Sequence, residues 1–269
     1  MSKDTRNREQ QLLDFLKGEQ DDLPRKLDSY INRFHKVDRG WILSWISILY
    51  ECRALKASFI DHDQTAMRQQ FYMTSILSAA ANAAGFNPDF RDLGLPVEAF
   101  VHALLSDSPE CINQIAHAGL MYKADPKSYH YYTHMLQLLL LGDHSAIKEM
   151  IAVGAKKCGK PLREEFATGR DFFSLFLRQD KPALEEHIFN LTKIKSELIH
   201  RDFLHYWAVL CTKLCWIKGI EVEIDHPLIP MALMPVKPLP HYEIEYDFLR
   251  SGWEPPKDDL LHKIKRWLK

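Results

Sequence analysis

The chain has 269 residues, 46% hydrophobic and 26% charged, with a formal net charge of −1. That is enough for one large domain or two modest ones, each with a buried core. A net charge so close to zero supplies no global attraction to nucleic acid or to an anionic membrane.

The chain opens with "MSKDTRNREQQLLDFLKGEQDDLPRK", which holds no apolar run of the kind a secretory signal needs. Apolar residues at helical spacing predict helices over 6–17, 24–36, 39–60, 64–84, 96–105, 109–119, 127–141, 144–158, 161–178, 182–195 and 197–218. The most apolar stretches, "WILSWISILY" and "MLQLLLL", fall short of the ~20 residues a membrane-spanning helix requires. Gly85, Gly119, Gly159 and Gly219 stand where a left-handed residue ends a helix, and Pro96 and Pro161 where one begins. Residues 83–96 are expected to form the longest internal loop. After Gly219 the composition changes: residues 220–256 carry seven prolines and two alternating runs, "IEVEI" and "YEIEY", which predict extended structure. A short helix over 257–269 is expected to close the chain. Five cysteines at irregular spacing do not suggest a disulfide framework. The expectation is a cytoplasmic protein.

One pattern recurs along the helical part. Residues 59–67 read "FIDHDQTAM", 104–112 "LLSDSPECI", 139–147 "LLLGDHSAI" and 176–184 "FLRQDKPAL". Each copy has two apolar residues, two spacers, an Asp or Ser, two more positions, a small residue and an aliphatic one. The fifth residue is a helix N-cap type, since its side-chain oxygen can accept from the free N–H groups of a first turn. Asp63, Ser108, Asp143 and Asp180 are the expected caps, with Pro109 and Pro182 in the first turns that follow. Met67/Phe71, Ile112/Ala116, Ile147/Ile151 and Leu184/Ile188 then fall four apart, each pair on one helix face. Ala66, Cys111, Ala146 and Ala183 are small residues placed to let a neighbouring helix come close. Each copy is therefore the corner of a helical hairpin. Four copies spaced by 35–45 residues predict an all-α fold of stacked antiparallel hairpins over 1–219. An extended acidic arm over 220–256 would pack on that array, and 257–269 would complete a single structural domain.

Residues able to carry chemistry are few. His130 and His134 stand four apart and could share a metal, but no Glu lies between them in the zinc-hydrolase manner and no third ligand is signalled. Cys211 and Cys215 share the same spacing beside Trp207, Leu210 and Leu214, the pattern of a buried helical stripe. His200 to His205, "HRDFLH", reads as the polar face of a helix start. No phosphate-binding glycine loop, dinucleotide fingerprint or nucleophile elbow is present. The expectation is a non-enzymatic chain with no cofactor and no metal.

Charge is more informative locally. Glu221, Glu223, Asp225, Glu243, Glu245, Asp247, Glu254, Asp258 and Asp259 face only Lys237, Arg250 and Lys257 between Gly219 and Asp259. This is either a solvated surface or an acidic face for a basic protein partner, where charge complementarity speeds association. Tyr242, Tyr246 and Trp253 would supply aromatic anchors to such an interface, or else pin the arm to the helices.

The stretch "YWAVLCTKLCWIKGIEVEIDHPLIPMALM", residues 206–234, runs from a Trp-containing apolar helix through Gly219 into an acidic arm and "DHPLIP". It resembles the C-terminal part of all-helical immunity proteins of bacterial polymorphic-toxin systems, the group called immunity protein 49. It is more loosely similar to those paired with PoNe-type DNases. In those DNase-associated relatives an acidic residue sits in the Trp helix and an aromatic-Pro pair follows the Asp; here "WAVLCTK" and Ile229-Pro230 stand instead. The resemblance implies a protein that binds and occludes a cognate toxin domain, a basic nuclease being one fit, without nucleic acid or membrane as partner. Two other readings stand beside it: a helical-repeat adaptor holding peptides in a groove, and a metal-dependent hydrolase built on His130 and His134.

Overall fold

A computed structural model describes residues 3–85, 97–120, 123–193 and 203–256, with side chains from residue 7 onward. It is an all-α fold. The helices are α1 (Lys3–Asn32), α2 (Arg39–Phe59), α3 (Gln64–Ala83), α4 (Val97–Leu105), α5 (Pro109–His117) and α6 (Tyr129–Leu141). They continue as α7 (His144–Lys157), α8 (Lys160–Thr168), α9 (Phe172–Arg178), α10 (Lys181–Leu191) and α11 (Tyr206–Ile217). Among the described residues no helix is long and apolar enough to cross a membrane.

The four expected caps all stand at helix starts. Asp63 accepts from the N–H groups of Thr65 and Ala66, both at 2.9 Å, and Ser108 from Cys111 at 3.3 Å. Asp143 accepts from Ala146 at 3.0 Å and Asp180 from Ala183 at 3.2 Å. The residue just before each cap is the one the sequence pattern leaves blank, and it is left-handed in all four: His62 (φ 56), Asp107 (φ 55), Gly142 (φ 77) and Gln179 (φ 54). That conformation reverses the chain. The Asp143 N–H closes back on the Leu138 carbonyl at 2.9 Å and the Asp180 N–H on Leu175 at 3.2 Å, so one residue ends a helix and begins the next. In α5 the inward residues are Cys111, Ile115 and Ala116, whereas Ile112 is only half-buried, a turn of the face from the expected Ile112/Ala116 pair.

Three expected boundaries move. The helices expected over 6–17 and 24–36 are one, α1, which runs on through Pro24. Lys26 braces this stretch, pairing with Glu19 and Asp22 on α1 and lying 4.2 Å from the Trp45 ring of α2. The helix expected over 161–178 is two, because Gly169 turns left-handed (φ 64) and Asp171 caps α9 through the Ser174 N–H at 2.9 Å. The helix expected over 197–218 is described only from Tyr206, where His205 caps it. Of the expected glycine stops, Gly85 (φ 84) and Gly219 (φ 81) are left-handed, while Gly119 and Gly159 are not, and Gly142 and Gly169 take that role elsewhere. The helix expected over 257–269 and the start at Pro96 lie outside the described residues.

Most helices adjacent in sequence pack side by side, α2 against α3 most extensively, but the chain does not simply march away from its start. α11 returns to pack on α4, and the Lys218 ammonium donates to the Leu140 carbonyl at 2.7 Å. One continuous core results, holding Tyr50, Phe71, Phe100, Phe172 and Phe173 fully buried. Each such side chain removes enough apolar surface from water to contribute about 1.5–3 kcal/mol before the cost of ordering it. Where α7 meets α8, a Cβ on Gly154 would fall 2.6 Å from the Phe166 ring, so that close approach requires glycine.

Candidate functional site

The C-terminal segment leaves α11 through Gly219, whose N–H donates to the Trp216 carbonyl at 3.1 Å while the Ile220 N–H reaches back to Cys215 at 2.8 Å. From there the alternation read in the sequence becomes two faces. Val222 and Ile224 are buried; Glu221, Glu223 and Asp225 are exposed. No β-ladder forms among the described residues, so the outer row is held by side chains. The Trp216 indole N–H donates to the Val222 carbonyl at 2.9 Å, and a Glu185 carboxylate oxygen of α10 accepts the Glu223 N–H at 2.8 Å.

The segment then crosses the α4–α5 corner over a buried cluster of charge. The Asp107 carboxylate accepts from the Arg68 guanidinium at 2.8 Å and pairs with the Lys213 ammonium at 2.7 Å; all three side chains are at most 6% exposed. It also accepts the Lys237 backbone N–H at 3.1 Å. Two cations face one carboxylate. The surplus is spread over backbone: Lys213 also donates to the carbonyls of Leu233, Met234 and Pro235 at 3.0, 3.1 and 3.3 Å, and Arg68 to Gln64 at 3.0 Å. Burial pulls the Lys213 pKa down and the Asp107 charge opposes that pull.

Beyond the cluster, the Tyr242 hydroxyl donates to the Ser106 carbonyl at 2.7 Å and its ring lies 4.7 Å from Tyr72. Glu243 pairs with Gln69 of α3 through its backbone N–H and C=O, at 3.1 and 2.7 Å. The Tyr50 hydroxyl donates to the Glu245 carboxylate at 2.5 Å and lies 2.9 Å from the Tyr246 hydroxyl, and burial together with these partners pushes the Tyr50 pKa up. Trp253 closes on α1, 6.3 Å from Tyr30 and 5.6 Å from the ring of Phe34.

Glu221, Glu223 and Asp225 form one outward row, braced at Glu223 by α10; Glu243, Glu245 and Asp247 form a second, braced by α2 and α3. Asp247 shares its charge with Arg250 at 2.8 Å. Of the two roles open to Tyr242, Tyr246 and Trp253, the geometry is that of pins: all three are partly buried against helices. The residues that hold the segment down, Arg68, Asp107 and Lys213, carry no signal of their pairing in the sequence. Asp107 sits inside the repeated corner at a spacer position, and nothing local marks Lys213, inside an apolar helix, as its partner.

The remaining candidates are built into the core. His130 is buried and His134 half-buried, its Nδ1 3.2 Å from the Gln137 side-chain oxygen, and among the described residues no group of three or more His, Cys, Asp or Glu is placed to hold a metal. Cys211 and Cys215 are fully buried, and burial pushes both thiols up, Cys215 to about 12, far from the thiolate form that reacts. His205 stands at the expected helix start as the N-cap of α11, accepting the Ala208 N–H through Nδ1 at 3.3 Å, and is buried there; His200 lies outside the described residues. One further polar group sits in the core: Glu51 accepts from the Tyr206 hydroxyl and lies 3.6 Å from His102 Nε2.

Compared with known proteins, the chain matches no family model, no curated protein and no solved structure.

Proposed function

We propose that this chain is an immunity protein: a non-enzymatic, cytoplasmic binder that neutralises a cognate bacterial toxin domain by covering it. The observation that carries the reading is the outward acidic edge of the C-terminal segment, Glu221, Glu223, Asp225, Glu243, Glu245 and Asp247, backed by residues that clamp it to the helices. A charged row held on a rigid support loses little freedom on binding, which favours affinity, and its sign favours a basic partner such as a nuclease. The resemblance expected from the sequence of residues 206–234 names immunity proteins as the class this proposal adopts. A stable complex would bury about 1,600 Å² in all.

The test is co-expression with the toxin domain encoded beside the gene. The reading expects one-to-one co-purification and survival of the producing cells. It also expects Glu221→Lys with Glu223→Lys, or Glu243→Lys alone, to weaken the complex by about tenfold or more, equivalent to 1.4 kcal/mol. Absence of both binding and protection would sink the proposal, as would turnover of a substrate by the purified chain. Binding and protection unaffected by charge reversal would move the interface off the acidic edge.

A further inference from the structure

At the opposite end of the charge scale, a surface depression of about 590 Å³ is lined by Asp125, Pro126, Lys127, Lys156, Lys157 and Arg163. Its bases come from three places in the chain. Lys127 precedes α6, Lys156 and Lys157 end α7, and Arg163 lies in α8. The bland account is that Lys156 and Lys157 complement the negative C-terminal end of the α7 dipole. It covers only those two, and leaves unexplained why Lys127 and Arg163 converge on the same hollow.

Among the described residues none of the four bases makes an ion pair. The one acid, Asp125, is engaged locally, accepting the Lys127 backbone N–H at 3.0 Å. Four like charges gathered in a concavity repel one another, and that repulsion is relieved when an anion enters. The lining also says what the anion lacks. Ligand sites ordinarily present apolar and aromatic walls; here only Pro126 is apolar and no ring is available to stack on a base or sugar.

We infer that this depression binds a small, multiply charged phosphate compound, recognising adjacent phosphate groups and nothing of the body that carries them. The site is separate from the acidic edge and does not depend on the immunity reading.

Titration calorimetry of the full chain with sodium tripolyphosphate tests it. Expected are one site per chain, affinity that falls about tenfold or more as salt is raised, and equal affinity for tripolyphosphate and ATP, because no ring contacts the nucleobase. Lys156→Glu with Lys157→Glu should abolish the heat, while Lys148→Glu, an exposed residue of α7 outside the depression, should leave it unchanged. Unaltered helical circular dichroism in the double variant separates loss of site from loss of fold. No binding, or binding that survives the double variant, overturns the inference. So does tighter binding of a hexaglutamate peptide, which would make it a docking point for an acidic protein, or of a single-stranded oligonucleotide at equal phosphate concentration.

Discussion

At the α6–α7 corner the left-handed residue is Gly142, exposed to solvent, and the next residue caps the following helix. At the α4–α5 corner the same backbone conformation is held by Asp107, whose carboxylate lies buried between Arg68 and Lys213 under the C-terminal segment. The two corners turn the chain in the same way. Only the second also fastens a segment that arrives more than a hundred residues later. A local signal therefore fixes the turn, while what the turn is used for depends on which surface the rest of the chain lays over it.

One chemical change made at both corners should separate their roles. Asp107→Asn leaves two buried cations without their anion and should cost about 3–5 kcal/mol, the scale for removing one partner of a buried pair. Asp143→Asn keeps a side-chain oxygen at an exposed N-cap, where Asn serves as well as Asp, and should change stability by under about 0.5 kcal/mol. Urea midpoints of the two variants decide the matter. Equal losses would mean that Asp107 is no more than a cap-region residue.

The same contrast explains what could be read from the sequence. Helices with capped starts and apolar faces were legible because both signals lie within a few residues of each other, as at Asp63, Ser108, Asp143 and Asp180. The inward and outward faces of "IEVEI" and "YEIEY" were legible too, because alternation needs no partner to be visible. The Gly169 break is not legible in the sequence because apolar spacing runs through it and one left-handed residue leaves no trace in periodicity. α1 reads as two helices in the sequence because a proline normally costs a helix about 3 kcal/mol; in the fold Lys26 braces the stretch around it, through Glu19 on α1 itself and the Trp45 ring of α2. The Arg68–Asp107–Lys213 cluster was invisible for a different reason: its members are 39 and 106 positions apart, and each has an ordinary local explanation.

A smaller effect sharpens the claim that the C-terminal segment is fastened there. Tyr242→Phe keeps the ring against Tyr72 but removes the hydroxyl that donates to Ser106 and accepts the Leu239 N–H at 3.0 Å. The expected loss is about 1–2 kcal/mol, since the Ser106 carbonyl lies in a buried corner and is left without that donor. Limited proteolysis should then cut within 236–256 sooner than in the unaltered chain, with the helical pattern of fragments unchanged. Cleavage at the unaltered rate would mean that the hydroxyl does not hold the segment.

The smallest effect comes from the corner residue itself, and two opposed terms decide its sign. At Gln179 the left-handed conformation (φ 54) costs a residue with a Cβ about 1–2 kcal/mol, and glycine would remove that cost. Glycine also gives the unfolded chain more freedom, which takes back about 0.4–1 kcal/mol. Gln179 is exposed, so little packing is lost, and Gln179→Gly should stabilise the fold by a net of about 0.5–1 kcal/mol. Asp107→Gly relieves the same conformational strain at φ 55, yet it removes the carboxylate between two buried cations and should destabilise by several times that amount, on the order of 3 kcal/mol. Opposite signs for one substitution at two equivalent positions, read from thermal midpoints, would show that the corners share a conformation and not a role. A gain at both would leave the buried cluster with no part in holding the segment down.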